Sequence, residues 1–234
     1  CICPCSYHQG RMHTDLARIA SDFFYESGLG VVPLPHQDSD IPQTDTPGEF
    51  GDILNRFRNI FVDVAHEQPV NSDNSNHREA EAIARLVLTI YLREGERFTA
   101  DKSIGVIVPY RNQIAAVKKR IAELGIPELN KISVDTVERF QGSQREYIIY
   151  GFTIKRPDQF PFMTSTRFEE NGALIDRKLN VALTRSRSHN ILVGDAALLA
   201  TDPLYHRLIE TFRSRGTVVE YNYGSNLPEW TEPL

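Results

Sequence analysis

Short apolar segments alternate with longer amphipathic segments through most of this chain, and that alternation limits the fold more than any other feature of the sequence. Runs rich in Val, Ile, Phe and Tyr predict strands at 60–65, 104–109, 133–137, 147–153, 190–195 and 217–221. Apolar residues at three- and four-residue spacing predict helices at 14–28, 77–94, 112–124, 175–187 and 203–213. Strands joined by such helices favour right-handed crossovers and a parallel sheet. Because the strands are apolar on both faces, we expect helices on both sides of the sheet, in one three-layer α/β domain.

Composition places the chain among ordinary globular proteins and removes several classes of function. Of its 234 residues, 41% are hydrophobic and 24% are charged, so it can bury a substantial core. The net charge of −5 argues against coating nucleic acid by bulk electrostatics, so any such contact needs a local basic patch. No apolar run reaches the roughly 20 residues that cross a bilayer, and no secretory leader opens the chain. We therefore expect no membrane association and an intracellular, cytoplasmic location, with nucleus or nucleoid as alternatives.

The three cysteines stand close together at the start of the chain, as Cys1, Cys3 and Cys5. With His8 they could form a metal cluster, although their spacing is tighter than that of usual zinc pairs. The other interpretation is a cut end of a longer chain, and terminal segments are often poorly ordered. We predict a disordered or cut-end segment at 1–8, a single domain at 9–234 and no metal site. The absence of later cysteines fits a reducing compartment.

The segment from His36 to Asp52 has a different composition from its surroundings. It is rich in Pro and acidic residues and contains no Lys or Arg. This pattern predicts a loop on the solvated surface.

Polar residues follow the predicted strands, and ligands of parallel sheets bind beyond the carboxyl ends of the strands. In SVDTVERFQGSQRE (133–146), a β-branched strand runs into a turn that contains Gly142. Glycine allows close approach to a bulky anion. Hydroxyl and amide side chains can hold phosphate or sugar oxygens. The donor side chains of this turn are Thr136, Gln141, Ser143, Gln144 and Arg145. The alternative is an ordinary polar loop with a turning glycine.

A second candidate site is DRKLNVALTRSRS (176–188), whose local charge opposes that of the whole chain. Its basic residues are Arg177, Lys178, Arg185 and Arg187. On a helix, Arg185 would point about 100° away from the packing side formed by Leu179, Ala182, Leu183 and Ser186. Arginine grips phosphate through two hydrogen bonds and stays charged at any relevant pH. The alternative is a solvated basic helix face.

Two further segments carry weaker signals. In QGRMH (9–13), Arg11 precedes the first helix, and His13 is better explained as a capping or packing residue than as a ligand. In VPYRNQ (108–113), Pro109 ends a strand, and Tyr110 is suited equally to packing or to stacking on a base. The sequence has no G-x-x-x-x-G-K-[ST] P-loop and no Asp-Glu pair after an apolar strand. The chain therefore lacks a complete ATPase site of its own.

Taken in order, these segments resemble the second, C-terminal RecA-like domain of superfamily 1B DNA and RNA helicases, the branch that includes the nonsense-mediated-decay helicase. The resemblance covers about residues 9–221. Its boxes are QGRMHT (9–14), IGVIVPYRNQ (104–113), VDTVERFQGSQRE (134–146) and LNVALTRSRSHNILVGD (179–195). It implies a RecA-like fold of the P-loop NTPase type that lacks its own P-loop.

The resemblance also implies partners and residue roles. In this family two RecA-like domains hold ATP between them, and the N-terminal domain, absent here, supplies the P-loop and the Mg²⁺ ligands. Arg11 and Arg185 would then be the catalytic arginines that reach the γ-phosphate. Residues that would contact nucleotide are Gln9, Gln141, Gly142 and Gln144. Residues that would contact single-stranded DNA or RNA are Pro109, Tyr110 and Thr136.

The sequence departs from the family pattern at Gly10, where relatives carry Tyr, and at Gln144, where they carry Glu. We predict a motor domain of an ATP-dependent helicase or translocase, inactive in isolation. The alternative is a non-catalytic RecA-like module that binds nucleic acid or protein.

Overall fold

The computed structural model of the protein describes most of the chain. The described residues are 7–9, 12–24, 29–31, 34, 37–65, 73–140, 143–170 and 173–222. Cys1, Cys3 and Cys5 lie outside them, whereas Tyr7 and His8, from the predicted edge segment, belong to a strand.

A parallel sheet of six strands forms the centre of the molecule. The strands of the described chain are β1 (Tyr7–Gln9), β2 (Leu29–Val31), β3 (Asn59–Asp63), β4 (Ile104–Ile107), β5 (Ser133–Asp135), β6 (Arg145–Gly151), β7 (Arg167–Glu170), β8 (Ala173–Asp176), β9 (Ser186–Gly194) and β10 (Thr217–Glu220). The main sheet has the order β10-β3-β9-β6-β4-β5, and every neighbouring pair in it is parallel. β1 and β2 pair with each other in parallel, and β7 and β8 form an antiparallel hairpin. The predicted α/β class with a mainly parallel sheet is therefore confirmed.

Helices cover both faces of the sheet. They are α1 (Thr14–Phe24), α2 (Glu49–Arg56), α3 (His77–Glu94), α4 (Arg111–Ala122), α5 (Phe160–Thr164), α6 (Arg177–Leu183), α7 (Ala196–Leu199) and α8 (Pro203–Arg215). Buried side chains of α1, α6 and α8 form one core with Leu192 of β9. Those of α2, α3 and α4 form a second core with Ile191 and Val193 of the same strand. Because successive side chains of a strand point to opposite faces, one apolar strand serves both cores, and the three-layer prediction is confirmed.

Helix α3 has the bounds that the sequence predicts, and its ends explain why. The Asn76 side chain accepts a hydrogen bond from the Glu79 N–H at the start of the helix. Gly95 follows the last helical residue with a φ of +50°, a conformation that glycine adopts without steric cost.

The prediction of one helix over 175–187 is wrong. Asp176 ends β8 and accepts a hydrogen bond from the Leu179 N–H, so the helix begins only at Arg177. α6 ends at Leu183 with Thr184 as its C-cap, the Arg185 N–H bonds back only three residues to the Ala182 carbonyl oxygen, and β9 begins at Ser186. Ser186 is buried as a strand residue, not on the packing side of a helix.

The described part of the acidic segment is largely exposed, as predicted, but it is not a loop throughout, because α2 begins within it at Glu49. It is also hydrogen-bonded to buried side chains. Buried Gln37 donates to the Met12 carbonyl oxygen at 3.1 Å. Buried Arg58 donates to the Ser39 carbonyl oxygen at 2.6 Å, and buried Arg93 donates to that of Pro42 at 2.5 Å. These bonds from buried side chains fix the backbone of the segment, while the acidic side chains Asp38, Asp40 and Asp45 remain exposed.

Among the described residues, no helix has both the length and the apolar character to cross a membrane.

Candidate functional site

A cleft of about 330 Å³ opens at the carboxyl ends of β4 and β5. It is lined by all three residues that the resemblance associates with nucleic acid, Pro109, Tyr110 and Thr136. Each of these residues is partly exposed. The chain places them together because neighbouring parallel strands end at the same edge of the sheet.

Two aromatic rings form one wall of this cleft. The rings of Tyr110 and Phe162 stack with centroids 4.8 Å apart and an interplanar angle of 25°. The Lys178 ammonium lies 4.6 Å from the centroid of the Phe162 ring, within cation–π distance. Burial raises the pKa of the Tyr110 hydroxyl, although its hydrogen bond with Gln159 acts in the opposite direction. Tyr110 therefore remains a neutral aromatic residue at physiological pH.

The polar side of the cleft is formed by the turn after β5. The Thr136 N–H donates to the Asp135 carboxylate at 2.8 Å, which fixes the start of the turn. Burial raises the pKa of the Glu138 carboxyl, but a hydrogen bond from Thr136 and the charge of Lys178 outweigh it, so the pKa is lowered. The cleft thus contains a charged carboxylate and an ammonium beside its aromatic wall.

A second group of predicted residues lies at the amino ends of β6 and β9. Arg185 directly precedes β9, and its carbonyl oxygen accepts a hydrogen bond from the Arg145 N–H at 3.1 Å. The Arg185 Nε donates to the Val181 carbonyl oxygen at 3.1 Å, so the half-buried side chain lies along the last turn of α6. Further basic groups stand close by, because Arg145 begins β6 and Arg187 pairs with Glu146 at 3.6 Å. This end of the sheet is suited to an anion.

Gln144 lies in the same region and is exposed. Its carbonyl oxygen accepts a hydrogen bond from the Arg145 guanidinium at 2.8 Å, and that guanidinium also donates to the Ser133 hydroxyl at 2.9 Å. Burial lowers the pKa of Arg145. The backbone beside Gln144 is therefore held by Arg145, while its own side chain faces solvent.

Several predicted residues cannot be placed. Arg11, Gln141 and Gly142 lie outside the described residues, and for Gln9 only the backbone, in β1, is described. The described chain resumes at Met12, and the His13 N–H donates to the Arg187 carbonyl oxygen at 3.1 Å. His13 is buried, and its Nδ1 accepts a hydrogen bond from the Asp15 N–H, so it caps α1 as predicted.

The two groups of residues lie at opposite ends of the parallel strands, one group at the carboxyl ends and the other at the amino ends. The rule that ligands bind beyond the carboxyl ends of strands accounts for Pro109, Tyr110 and Thr136. It does not account for Arg185 and Gln144, which lie at the amino ends of β9 and β6. Strand β6 connects both places, since Arg145 begins it and Tyr150, near its end, lines the cleft.

Sequence reasoning missed the contribution of Phe162. It lies in the segment 155–173, which looks irregular in sequence but contains α5 and the β7–β8 hairpin. The signal that could have found it is the pair of aromatic residues around a proline, Phe160-Pro161-Phe162, within a polar stretch.

As for metals, the described part of the chain has no group of three or more His, Cys, Asp or Glu side chains arranged to hold an ion.

The fold and these two groups of residues define a RecA-like domain without a P-loop of its own. The family described as AAA domain matches residues 7–197, and the chain belongs to this family.

Its relatives include proteins named for nonsense-transcript regulation and DNA unwinding. Regulator of nonsense transcripts 1 from Dictyostelium discoideum is 32% identical over 219 residues, which cover 91% of this chain and 15% of the relative. Its homolog from Arabidopsis thaliana is 32% identical over 220 residues, which cover 91% and 16%. DNA polymerase alpha-associated DNA helicase A from Schizosaccharomyces pombe is 25% identical over 224 residues, which cover 91% and 31%.

The chain therefore spans less than a third of the length of these relatives. A solved structure, the C-terminal domain of a possible DNA helicase from Lactobacillus plantarum WCFS1, matches 91% of this chain and 98% of its own length, with a TM-score of 0.45 and 12% identity. The family match and the relatives identify the chain as a superfamily 1 helicase domain of the nonsense-mediated-decay-helicase branch.

Proposed function

We propose that this chain is the C-terminal motor domain of an ATP-dependent helicase or translocase that acts on single-stranded DNA or RNA. The observation that carries the proposal is the position of the two groups of residues at the two ends of β6. One end offers arginines to an anion, and the other offers an aromatic and polar cleft. A motor needs both functions, connected by a rigid element.

At the amino end of the sheet, Arg185 is the proposed arginine finger. A guanidinium that meets the γ-phosphate stabilises the charge that develops there during phosphoryl transfer. Its position between the end of α6 and the start of β9, and the hydrogen bond from the Arg145 N–H to its carbonyl oxygen, support this role, because they fix the backbone that presents the side chain. Arg11 is proposed as the second arginine, since the segment that follows it is bonded to Arg187.

The residues present fit only part of an ATP site. The basic groups Arg145, Arg185 and Arg187 suit phosphate oxygens, but the sequence has neither a P-loop nor an Asp-Glu pair for Mg²⁺. We therefore assign ATP and Mg²⁺ mainly to an N-terminal RecA-like domain of the same parent protein. Gln9, Gln141, Gly142 and Gln144 are proposed as additional nucleotide contacts.

At the carboxyl end of the sheet, Pro109, Tyr110 and Thr136 are proposed to contact the single strand. Stacking on an aromatic ring tolerates any base, and a hydroxyl can bond a phosphate oxygen. These residues line one cleft, which supports a shared ligand. The alternative of a non-catalytic binding module would use the same cleft without turnover.

The test is the Arg185→Ala variant of a parent protein that contains both RecA-like domains. ATP turnover should fall at least about a thousandfold, the usual scale for an arginine finger, while ATP affinity changes far less. Arg213→Ala is the matched control, since Arg213 is an exposed arginine of α8 that pairs with Glu210. Turnover that survives Arg185→Ala would refute the role. A wild-type parent that binds nucleic acid but hydrolyses no ATP would favour the alternative.

A further inference from the structure

Phe162 is a large apolar side chain with 45% of its surface exposed, at the mouth of the cleft. Moving an aromatic ring from water into an apolar contact is favourable. An exposed ring on a well-anchored backbone is therefore a candidate surface for binding a ligand. It is not isolated, because it stacks on Tyr110 and has the Lys178 ammonium over its ring.

The backbone that carries Phe162 is held by buried polar groups. Gln159, which is buried, accepts hydrogen bonds from the N–H groups of Lys155 and Arg156 at 2.9 and 3.1 Å. Its amide also donates to the Thr153 carbonyl oxygen at 3.3 Å. The same turn leads directly into α5, which begins at Phe160 and carries Phe162 into the wall of the cleft.

A second anchor fixes the start of the same turn. The Thr153 N–H donates to both carboxyl oxygens of buried Glu79, at 3.0 and 2.9 Å. The Lys155 ammonium is also buried and reaches the Asp73 carboxylate and the Ser75 carbonyl oxygen, both at 2.5 Å. These contacts hold the start of the segment that leads to α5, so the ring is presented in a prearranged position that reduces the entropy lost on binding.

The chemistry around the ring limits what it can bind. Tyr110 and Phe162 supply an aromatic surface, Lys178 supplies a cation, and Thr136 supplies a hydroxyl, all within one cleft. A ligand that uses all of them has a flat aromatic ring close to an anion. A nucleotide unit of a single strand has both, because each base is joined through its sugar to a phosphate.

We propose that Phe162 is a base-stacking residue of the single-strand site and that Lys178 binds the phosphate next to the stacked base. The proposal rests on the proposed function and extends it. In this proposal the cleft binds a base of the single strand as well as its sugar-phosphate backbone. The base adds to the Tyr110–Phe162 stack, and the ammonium of Lys178 exchanges the ring for a phosphate oxygen.

The experiment compares two fluorescent single-stranded oligonucleotides of equal length, one with thymine bases and one of abasic residues, and a uridine oligonucleotide as the RNA arm. Binding to the 234-residue chain is measured by anisotropy across a salt series. The wild-type chain should bind the strands that carry bases about tenfold more tightly than the abasic strand, since one stacked base contributes on this scale.

Phe162→Leu should remove that difference and leave the affinity for the abasic strand unchanged. Phe162→Trp should retain the difference, because the indole ring also stacks. Lys178→Met should weaken all strands and lower the salt slope by about 0.7, the loss of one phosphate contact on a single strand. Leu174→Ala is the matched control, since Leu174 is 44% exposed and lies in the β7–β8 hairpin.

Each other outcome has a definite meaning. If Phe162→Leu binds every strand as the wild type does, or weakens all of them equally, the stacking role is wrong while the proposed function stands. If the wild-type chain binds neither the strands with bases nor the abasic strand, both this inference and the proposed single-strand site are wrong.

Discussion

The backbone N–H of His13 donates to the carbonyl oxygen of Arg187 at 3.1 Å, which joins two motifs that are far apart in the sequence. His13 belongs to the QGRMH motif before α1, and Arg187 follows the LNVALTR motif of α6. The two motifs that would supply arginines to a shared nucleotide are therefore neighbours at the amino end of β9.

The isolated chain should hydrolyse no ATP. It has basic groups for a phosphate but no P-loop and no paired carboxylates for Mg²⁺. Phosphate release from the purified chain, with and without single-stranded DNA or RNA, should equal that of a buffer control. Turnover that copurifies with the chain through two successive columns, and that Arg185→Ala abolishes, would contradict this expectation.

The stability of the Glu79→Gln variant should depend less on pH than that of the wild-type chain. Burial raises the pKa of the Glu79 carboxyl from 4.5 to about 8, against the opposing effect of the hydrogen bond from Thr153. Between these values the folded chain holds a proton that the unfolded chain releases, so stability decreases as pH rises, by at most about 1.4 kcal/mol per pH unit. Urea unfolding at intervals from pH 5 to 8 measures the slope, and the amide should flatten it. Equal slopes for both chains would show that Glu79 is already ionised in the folded state.

His189 should make stability depend on pH in the opposite sense, so that stability increases as pH rises within a lower pH range. Its ring is fully buried, stacks on Tyr147 at 4.8 Å and lies with Nε2 3.1 Å from the Leu54 carbonyl oxygen. Burial, together with the charge of Arg58, lowers the pKa of His189 from 6.5 to about 3. The unfolded chain therefore binds a proton that the folded chain excludes, and stability should fall as pH drops from 6.5 towards 3.

His189→Gln tests this, because the wild type should lose stability more steeply than the variant over that range. His206→Gln controls for the loss of an exposed imidazole of α8. Thermal unfolding followed by circular dichroism at several pH values gives both profiles. Parallel profiles for the wild type and His189→Gln would contradict the assignment.

Asp176→Ala should destabilise the chain by about 2 kcal/mol, the sum of a lost helix cap and a broken buried hydrogen bond. Asp176 accepts hydrogen bonds from the Leu179 N–H at 3.0 Å and from the Tyr205 hydroxyl at 2.9 Å. In a double-mutant cycle with Tyr205→Phe, the double variant should lose less stability than the two single variants lose together, by about 1 kcal/mol. Full additivity in urea unfolding would mean that the two side chains do not interact.

The layers, the six strands of the main sheet and the whole of α3 could be predicted from the sequence, because they depend on local periodicity and caps, whereas the short strands β1, β2, β7 and β8 carry no such pattern. The boundary between α6 and β9 could not. Apolar residues continue from α6 into β9, and no Gly or Pro marks the change at Thr184 and Arg185. The start of α6 is equally hidden, because the Asp176 side chain that caps it could also have stood on the surface of a longer helix.

Part of the candidate site could be predicted as well. Pro109, Tyr110 and Thr136 stand at the ends of predicted strands in the sequence. Neighbouring parallel strands bring such residues together, and all three line one cleft. Phe162 does not follow a strand end, so this rule does not find it. The aromatic pair around Pro161 marks the segment, but the position of the ring depends on the bonds of Gln159 to the turn, which exist only in the folded chain.

Strand β6 has Arg145 at one end, bonded to the Arg185 backbone, and Tyr150 near the other, in the wall of the cleft. At a rise of about 3.3 Å per residue, Arg145 and Tyr150 are roughly 17 Å apart along the strand. β6 is paired with β4 on one side and with β9 on the other, and its register with β9 shifts between Arg145 and Tyr147. One continuous strand therefore joins the two groups of residues, and because its amino end is irregular, any coupling between the groups has to pass that irregularity.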